Sequence, residues 1–338
     1  MVFARAGLVA LSLTTPFPVF AQTFDWMIPD KLAAAKAEGS VVVYSSVNEG
    51  EALPVWKIFE DATGVKVQFV RGSDVAINSR IAIEGRAAQK SWDVVVTTSV
   101  SQNPPQLLAQ YDLPEAKKLL PIAISADRRW YGHSINYNAP SYNTKLVDKS
   151  ELPTSFEDFA TKTKWKGRVA IDGTDTQWLA GIFQFYGEAK ARKIVGDLVR
   201  NLEPVITDGH LALARQVGAG EYALTLNNFV NLTYAVKMSG APTDVFALDP
   251  VSAHVAQVGI SVNAPHPNAA LLAANFAVGR EAQARSAEFG RMPVRADVAT
   301  NPPDALVPLK GRTLVPTLFG PQDDRKWSKL FDELLRGR

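Results

Sequence analysis

VVVYSSVNEGEALPVWKIFEDATGVKVQFV, residues 41–70, decides the fold. Val41–Tyr44 is a short β-branched run and predicts a strand. Ser45-Ser46-Val47-Asn48-Glu49 is a polar loop, and a helical stretch follows to about Ala62. Gly64 stops that helix, and Val65–Val70 predicts the next strand. The unit of strand, loop and helix recurs along the chain. Asp93–Val96 leads into Thr97-Thr98-Ser99 and a helix toward Gln110. Arg168–Ile171 leads into Asp172-Gly173-Thr174-Asp175-Thr176 and a helix through Phe183 and Phe185. Tyr222–Leu226 leads into Asn227-Asn228 and a helix toward Met238. Strands alternating with helices predict an α/β fold with parallel sheet covered on both faces.

Caps agree with this reading. Ser155 with Asp158 forms a capping box ahead of Phe156 and Phe159. Pro267 suits the first turn of a helix that stops at Gly279, and Gly290 ends the next one. Trp327–Leu335 reads as a short amphipathic helix, reached through an extended stretch marked by Pro302, Pro303, Pro308 and Pro316.

Residues 1–21 read as a secretory signal peptide. Arg5 supplies the positive start, Ala6–Leu13 the short apolar core, and Val19-Phe20-Ala21 the small-residue ending. The apolar core is shorter than the ~20 residues a membrane span needs. Cleavage after Ala21 would leave a soluble, exported chain, and residues 22–338 suffice for two domains. Cysteine is absent, which excludes disulfides, thiolate metal sites and cysteine nucleophiles. The formal charge is +2 with no basic run, so no nucleic-acid surface is expected.

No catalytic pattern stands out. His133, His210, His254 and His266 show no i, i+4 pair, and each reads as a surface or loop histidine rather than a zinc ligand. No G-x-S-x-G elbow or phosphate loop occurs. Gly218-Ala219-Gly220 lies after a helix and before a strand, the order of a helix stop rather than a dinucleotide fingerprint. In open α/β sheets ligands bind beyond the carboxyl ends of strands. The loops there, Ser45–Glu49, Thr97–Ser99, Asp172–Thr176 and Asn227-Asn228, are rich in hydroxyls and amides, and each opens a helix with free N–H groups. The alternative for any one of these residues is a plain helix cap. The four loops together predict one shared polar cleft suited to a small anion.

The ordered segments Val41–Ser46, Phe59–Val67, Trp92–Val96, Leu152–Ile171, Ala219–Asn228, Ser239–Pro242 and Ala264–Phe276 resemble the periplasmic substrate-binding proteins of ABC importers, in the branch containing the ferric-iron-binding proteins. The resemblance implies two α/β lobes of the type II periplasmic-binding-protein fold, with a hinge and an interlobe ligand cleft. It places lobe 1 at 22–128 plus 250–292 and lobe 2 at 129–249 plus 293–338. It further implies a monomer that delivers a small-molecule ligand to an ABC permease in the inner membrane, with no cofactor and no catalysis.

At the positions where ferric-binding members carry a histidine, a glutamate and two tyrosines, this chain reads Asn48, Thr98 and Phe229-Val230. Glu49 is one residue from the first position, and Tyr44 and Tyr234 stand at the wrong spacing. Ferric iron needs anionic oxygen ligands, so no metal set is carried over. The anion-holding positions read Thr174-Asp175-Thr176 and Asn228. The candidate ligand-binding residues are therefore Ser45, Ser46, Asn48, Thr98, Thr174, Thr176 and Asn228, with Asp175 either meeting a cationic group or capping its helix. Trp130 and Trp178 are either cleft walls or core. The expected cargo is a phosphonate, phosphorylated metabolite, carboxylate or zwitterion. The alternatives are ferric iron held by an anion or chelator, an exported enzyme on the same fold, and a periplasmic sensor.

Overall fold

The computed structural model describes residues 24–318 and 321–337. The signal peptide expected at 1–21 lies outside them. In chain order the elements are α1 (Pro29–Glu38), β1 (Ser40–Ser45), α2 (Glu49–Thr63), β2 (Lys66–Arg71), α3 (Asp74–Arg86), β3 (Val94–Thr97), β4 (Trp130–Asn138), β5 (Ser141–Asn143), α4 (Phe156–Thr161), β6 (Val169–Asp172), α5 (Thr176–Tyr186), α6 (Glu188–Leu202), β7 (Val205–Thr207), α7 (His210–Ala219), β8 (Leu224–Thr225), α8 (Val230–Met238), β9 (Thr243–Val245), β10 (Val251–Ile260), α9 (Pro267–Ala277), α10 (Arg280–Glu288), β11 (Leu314–Pro316) and α11 (Pro321–Phe331).

Two sheets result. The first runs β11-β10-β3-β1-β2, with β4 on β10; the second runs β7-β6-β8-β5-β9. β1 pairs in parallel with β2 from Ser40 opposite Lys66 to Ser45 opposite Arg71, and with β3. β6 is parallel to both β7 and β8. Both sheets are mixed, however, rather than purely parallel: β10 runs antiparallel to β3 and β4, and β5 antiparallel to β8 and β9.

Each sheet has its own core. Trp26, Trp56, Phe59 and Phe276 pack in the first; Phe156, Phe159, Trp178, Phe246 and Phe331 pack in the second. Trp130 and Trp178 are both buried in these cores. The boundaries expected after 128 and 292 fall inside the first sheet and its core, because β4 pairs along β10 from Trp130 to Asn138 and Met292, Val294, Ala305 and Leu309 pack there. The chain crosses between sheets at 139–140 and again at 246–250.

Ser155 caps α4 by accepting from the Asp158 N–H at 3.0 Å, and Pro267 opens α9. The helix expected toward Gln110 is instead two 3-10 turns, Val100–Gln102 and Pro105–Leu107. Pro104 and Pro105 remove the N–H groups a helix would need there. In α5, Gly181 lies so close to β10 that a Cβ would sit 2.0 Å from the Ser252 hydroxyl. A bare backbone at 181 thus lets a second-core helix ride directly on a first-sheet strand.

Candidate ligand-binding site

The parallel strands of both sheets point their carboxyl ends at one cleft of about 500 Å³. Its first wall comes from the start of α3 (Asp74, Val75) and the turn after β3 (Thr98, Ser99, Gln102). Its second wall comes from the loop after β6 and the start of α5 (Thr174, Asp175, Thr176, Gln177), with His210 of α7 and Phe229 before α8. Asn136 of β4 and His254 of β10 form the floor between them.

Of the candidates read from the sequence, Thr98, Thr174, Asp175 and Thr176 line this cleft. The others lie off its lining. The Ser45 hydroxyl donates to the Val96 carbonyl at 2.9 Å and accepts from the Val47 N–H at 3.1 Å, so it ties β1 to β3. Ser46 N–H donates to the same carbonyl at 3.1 Å. Asn48 is exposed at the start of α2, where its side-chain oxygen accepts from Arg71 at 3.2 Å. Glu49 beside it is exposed too. Asn228 is fully buried; its side-chain oxygen accepts from the Phe229 N–H at 2.8 Å and its Nδ2 has no partner. Tyr44 donates to Glu84 at 3.2 Å and Tyr234 to the Asp304 carbonyl at 3.4 Å, both away from the lining.

Asp175 is 5% exposed and acts as the cap of α5, accepting from the Trp178 N–H at 2.9 Å. Its second oxygen accepts from Asn138 and, at 3.3 Å, from Asn227. Burial raises its pKa, opposed by nearby His210 and the Trp178 N–H. Asp172, fully buried, accepts from Thr174 through both the N–H, at 2.8 Å, and the hydroxyl, at 2.5 Å. Gly173 between them must be glycine: a Cβ would meet Ile206 at 2.5 Å. Arg336 donates to its carbonyl at 3.0 Å and fixes the loop from below.

On the first wall, Asp74 accepts from the Thr98 N–H at 3.1 Å and the Thr98 hydroxyl at 2.6 Å. Thr98 therefore positions a carboxylate that the sequence reading passed over. The α3 helix that presents it carried a legible signal: Ser73 caps it by accepting from the Ala76 N–H at 3.2 Å.

Three histidines, His133, His210 and His254, depart from the surface or loop positions expected of them, while His266 lies in the loop before α9 as expected. His133 lies in β4 and His254 in β10, and His254 is 8% exposed. Burial, with Arg291 nearby, lowers the His133 pKa to about 3. Burial also lowers that of His254, partly offset by the Thr98 carbonyl. His254 Nε2 donates to that carbonyl at 3.0 Å on the first wall and lies 3.1 Å from the Gln177 side-chain nitrogen of the second, so the ring sits between the two walls. His210 opens α7, stacked on Phe229 with centroids 3.8 Å apart. Its Nε2 lies 3.6 Å from Asp175 and 3.9 Å from Asp172, while Nδ1 is buried without a partner. His210 and His254 owe their place to long-range folding, for which no local motif exists.

The cleft is thus a polar box of hydroxyls, amides, helix N-termini, the Asp74 and Asp175 carboxylates and one aromatic stack. Among the described residues no group of three or more His, Cys, Asp or Glu is arranged to hold a metal ion. Nor is any helix among them long and apolar enough to cross a membrane.

Residues 55–307 match the model of the bacterial extracellular solute-binding protein family. The chain is 25% identical over 206 residues to the major ferric iron-binding protein of Neisseria gonorrhoeae, covering 58% of this chain and 61% of that relative. Among solved structures, iron-bound HitA of Pseudomonas aeruginosa superposes with a TM-score of 0.71 at 19% identity, covering 88% of this chain and 98% of that one. The periplasmic binding protein AfuA of Actinobacillus pleuropneumoniae, with exogenous fructose-6-phosphate bound, gives 0.69 at 20% identity, covering 88% and 99%. At such identities the structural matches establish the two-lobe fold.

Proposed function

The chain belongs to the bacterial extracellular solute-binding protein family, and we propose that it is the periplasmic receptor of an ABC importer. It captures a small organic anion or zwitterion between its lobes and delivers it to an inner-membrane permease. It binds without catalysis, as a soluble monomer. The lobes follow the two sheets and their cores, and the hinge lies in the crossing segments 139–140 and 246–250.

One observation carries the ligand class: the lining of the cleft offers hydroxyls, amides, helix N-termini, two carboxylates and two histidines, with no lysine, arginine or tyrosine among its described residues. Such a site hydrogen-bonds a small polar molecule of low net charge. Bare ferric iron calls for several anionic oxygens, and the Asp175 carboxylate is already engaged by three donors. Ferric iron carried inside a chelator is the second reading, favoured by the iron-binding names of two of the relatives.

The test is mass spectrometry of ligand released from freshly purified protein, with metal analysis of the same sample. A phosphorus- or carboxylate-bearing metabolite without iron is expected. Stoichiometric iron would overturn the reading.

A further inference from the structure

We propose that Asp74 recognises a positively charged nitrogen on the ligand, so that the cargo is a zwitterion with its cationic end on the first wall and its anionic end at the start of α7. This rests on the reading that the cleft takes a small organic molecule.

Three carboxylates stand around the cleft, and only one is open to a ligand. Asp172 is fully buried and out of a ligand's reach; Thr174 engages one of its oxygens and the other has no partner. Asp175 is buried and engaged by Trp178, Asn138 and Asn227. Asp74 is half-buried and lines the cleft, and both of its contacts come from Thr98. An ionised carboxylate has about four acceptor positions, so Asp74 keeps capacity for the ligand. No lysine or arginine of the lining neutralises it. A plain anion entering here meets a like charge, whereas an ammonium meets a partner.

The opposite wall is suited to the other end of such a molecule. Asp175 already occupies the N-terminus of α5. The ten-residue α7 begins on Gly209 with no side-chain cap, which leaves its first N–H groups for an acceptor. His210, its first residue, lines the cleft with its side chain 10% exposed, its Nδ1 buried and unpartnered, and its Nε2 between the ligand's anionic end and the Asp175 and Asp172 carboxylates, 3.6 and 3.9 Å away. The two walls thus present opposite demands across a space of about 500 Å³.

The test is calorimetric titration of wild type, Asp74→Asn and Asp74→Glu with two matched pairs: 2-aminoethylphosphonate against ethylphosphonate, and 4-aminobutyrate against butyrate. Wild type is expected to prefer the amine-bearing member of at least one pair by about tenfold or more. Asp74→Asn should erase that preference by weakening the amine-bearing member and strengthening the deaminated one, which no longer meets a like charge, and Asp74→Glu should keep part of it. Equal binding within each pair, or a preference that survives in Asp74→Asn, overturns the assignment and leaves the organic-ligand reading standing. Binding of ferric citrate with neither pair bound overturns both.

Discussion

The two walls of the cleft are built from the same strand, loop and helix unit, yet they use their polar groups in opposite ways. On the second wall the side chains mainly serve the fold: Asp172 and Asp175 are buried, one Asp172 oxygen holds Thr174 while the other has no partner, and both Asp175 oxygens are taken by Trp178, Asn138 and Asn227. On the first wall Thr98 serves Asp74, and Asp74 stays half-open to the cleft. A hydroxyl or carboxylate at a strand end is therefore no sufficient sign of a ligand contact. What matters is whether its own loop has already satisfied it.

Substitutions can break this contrast, and the largest effect belongs to the second wall. Asp175→Ala removes a helix cap and leaves the Asn138 and Asn227 amides short of a buried acceptor. It should cost about 2–4 kcal/mol in urea unfolding; a loss below 0.5 kcal/mol would place Asp175 among the ligand contacts instead.

The next effect reads the first sheet, behind the cleft, through pH. The His133 pKa falls from 6.5 to about 3 in the fold, so the unfolded chain takes up a proton that the native state refuses. The stability this group contributes is complete above pH 6.5 and declines as pH falls toward 3. At pH 5.5 wild type should have lost about 1.4 kcal/mol relative to neutral pH through this group. His133→Gln should show a correspondingly shallower decline in chemical denaturation, and parallel pH profiles for the two proteins would refute the assignment.

Thr98→Val keeps the shape beside Asp74 but removes the hydroxyl donor. A stability change of about 1 kcal/mol is expected, with a loss of affinity confined to amine-bearing ligands; uniform weakening of all ligands would point to a general collapse of the wall. The smallest effect is at Asn48, exposed and off the lining. Asn48→Ala should leave affinity unaltered and stability within about 0.5 kcal/mol, and a measurable loss of affinity would return the Ser45–Glu49 loop to the site.

Much of the fold was legible because it is local. Val41–Tyr44 and Val169–Ile171 are β-branched or apolar runs ending in polar loops, and Gly64 stops α2 in the left-handed conformation at φ 75°. The cleft was legible only where a loop declares itself, as at Thr174–Thr176. Ser45 and Thr98 look alike in sequence, yet Ser45 Oγ is taken by a carbonyl 51 residues away. Strand pairing decides that outcome, and no single stretch records it. His254 and Asn136 were missed for the same reason: they sit opposite one another on β10 and β4, joined by a register that spans more than a hundred residues. Asp74 was accessible in principle, since Ser73 ahead of Ile77 and Ile81 is a helix-start signal.

The bare backbone at Gly181 has a mechanical meaning. A helix of the second core rests on a strand of the first sheet with only the Ser252 side chain between the two backbones, so under the proposed closure of two lobes this point would serve as a bearing. A single methyl group there would act as a shim, forcing the Ser252 hydroxyl aside and biasing the jaws without touching either gripping surface. Gly181→Ala would thus offer a way to set the resting gape independently of what is held, and to ask whether the docking partner responds to the cargo or only to the angle.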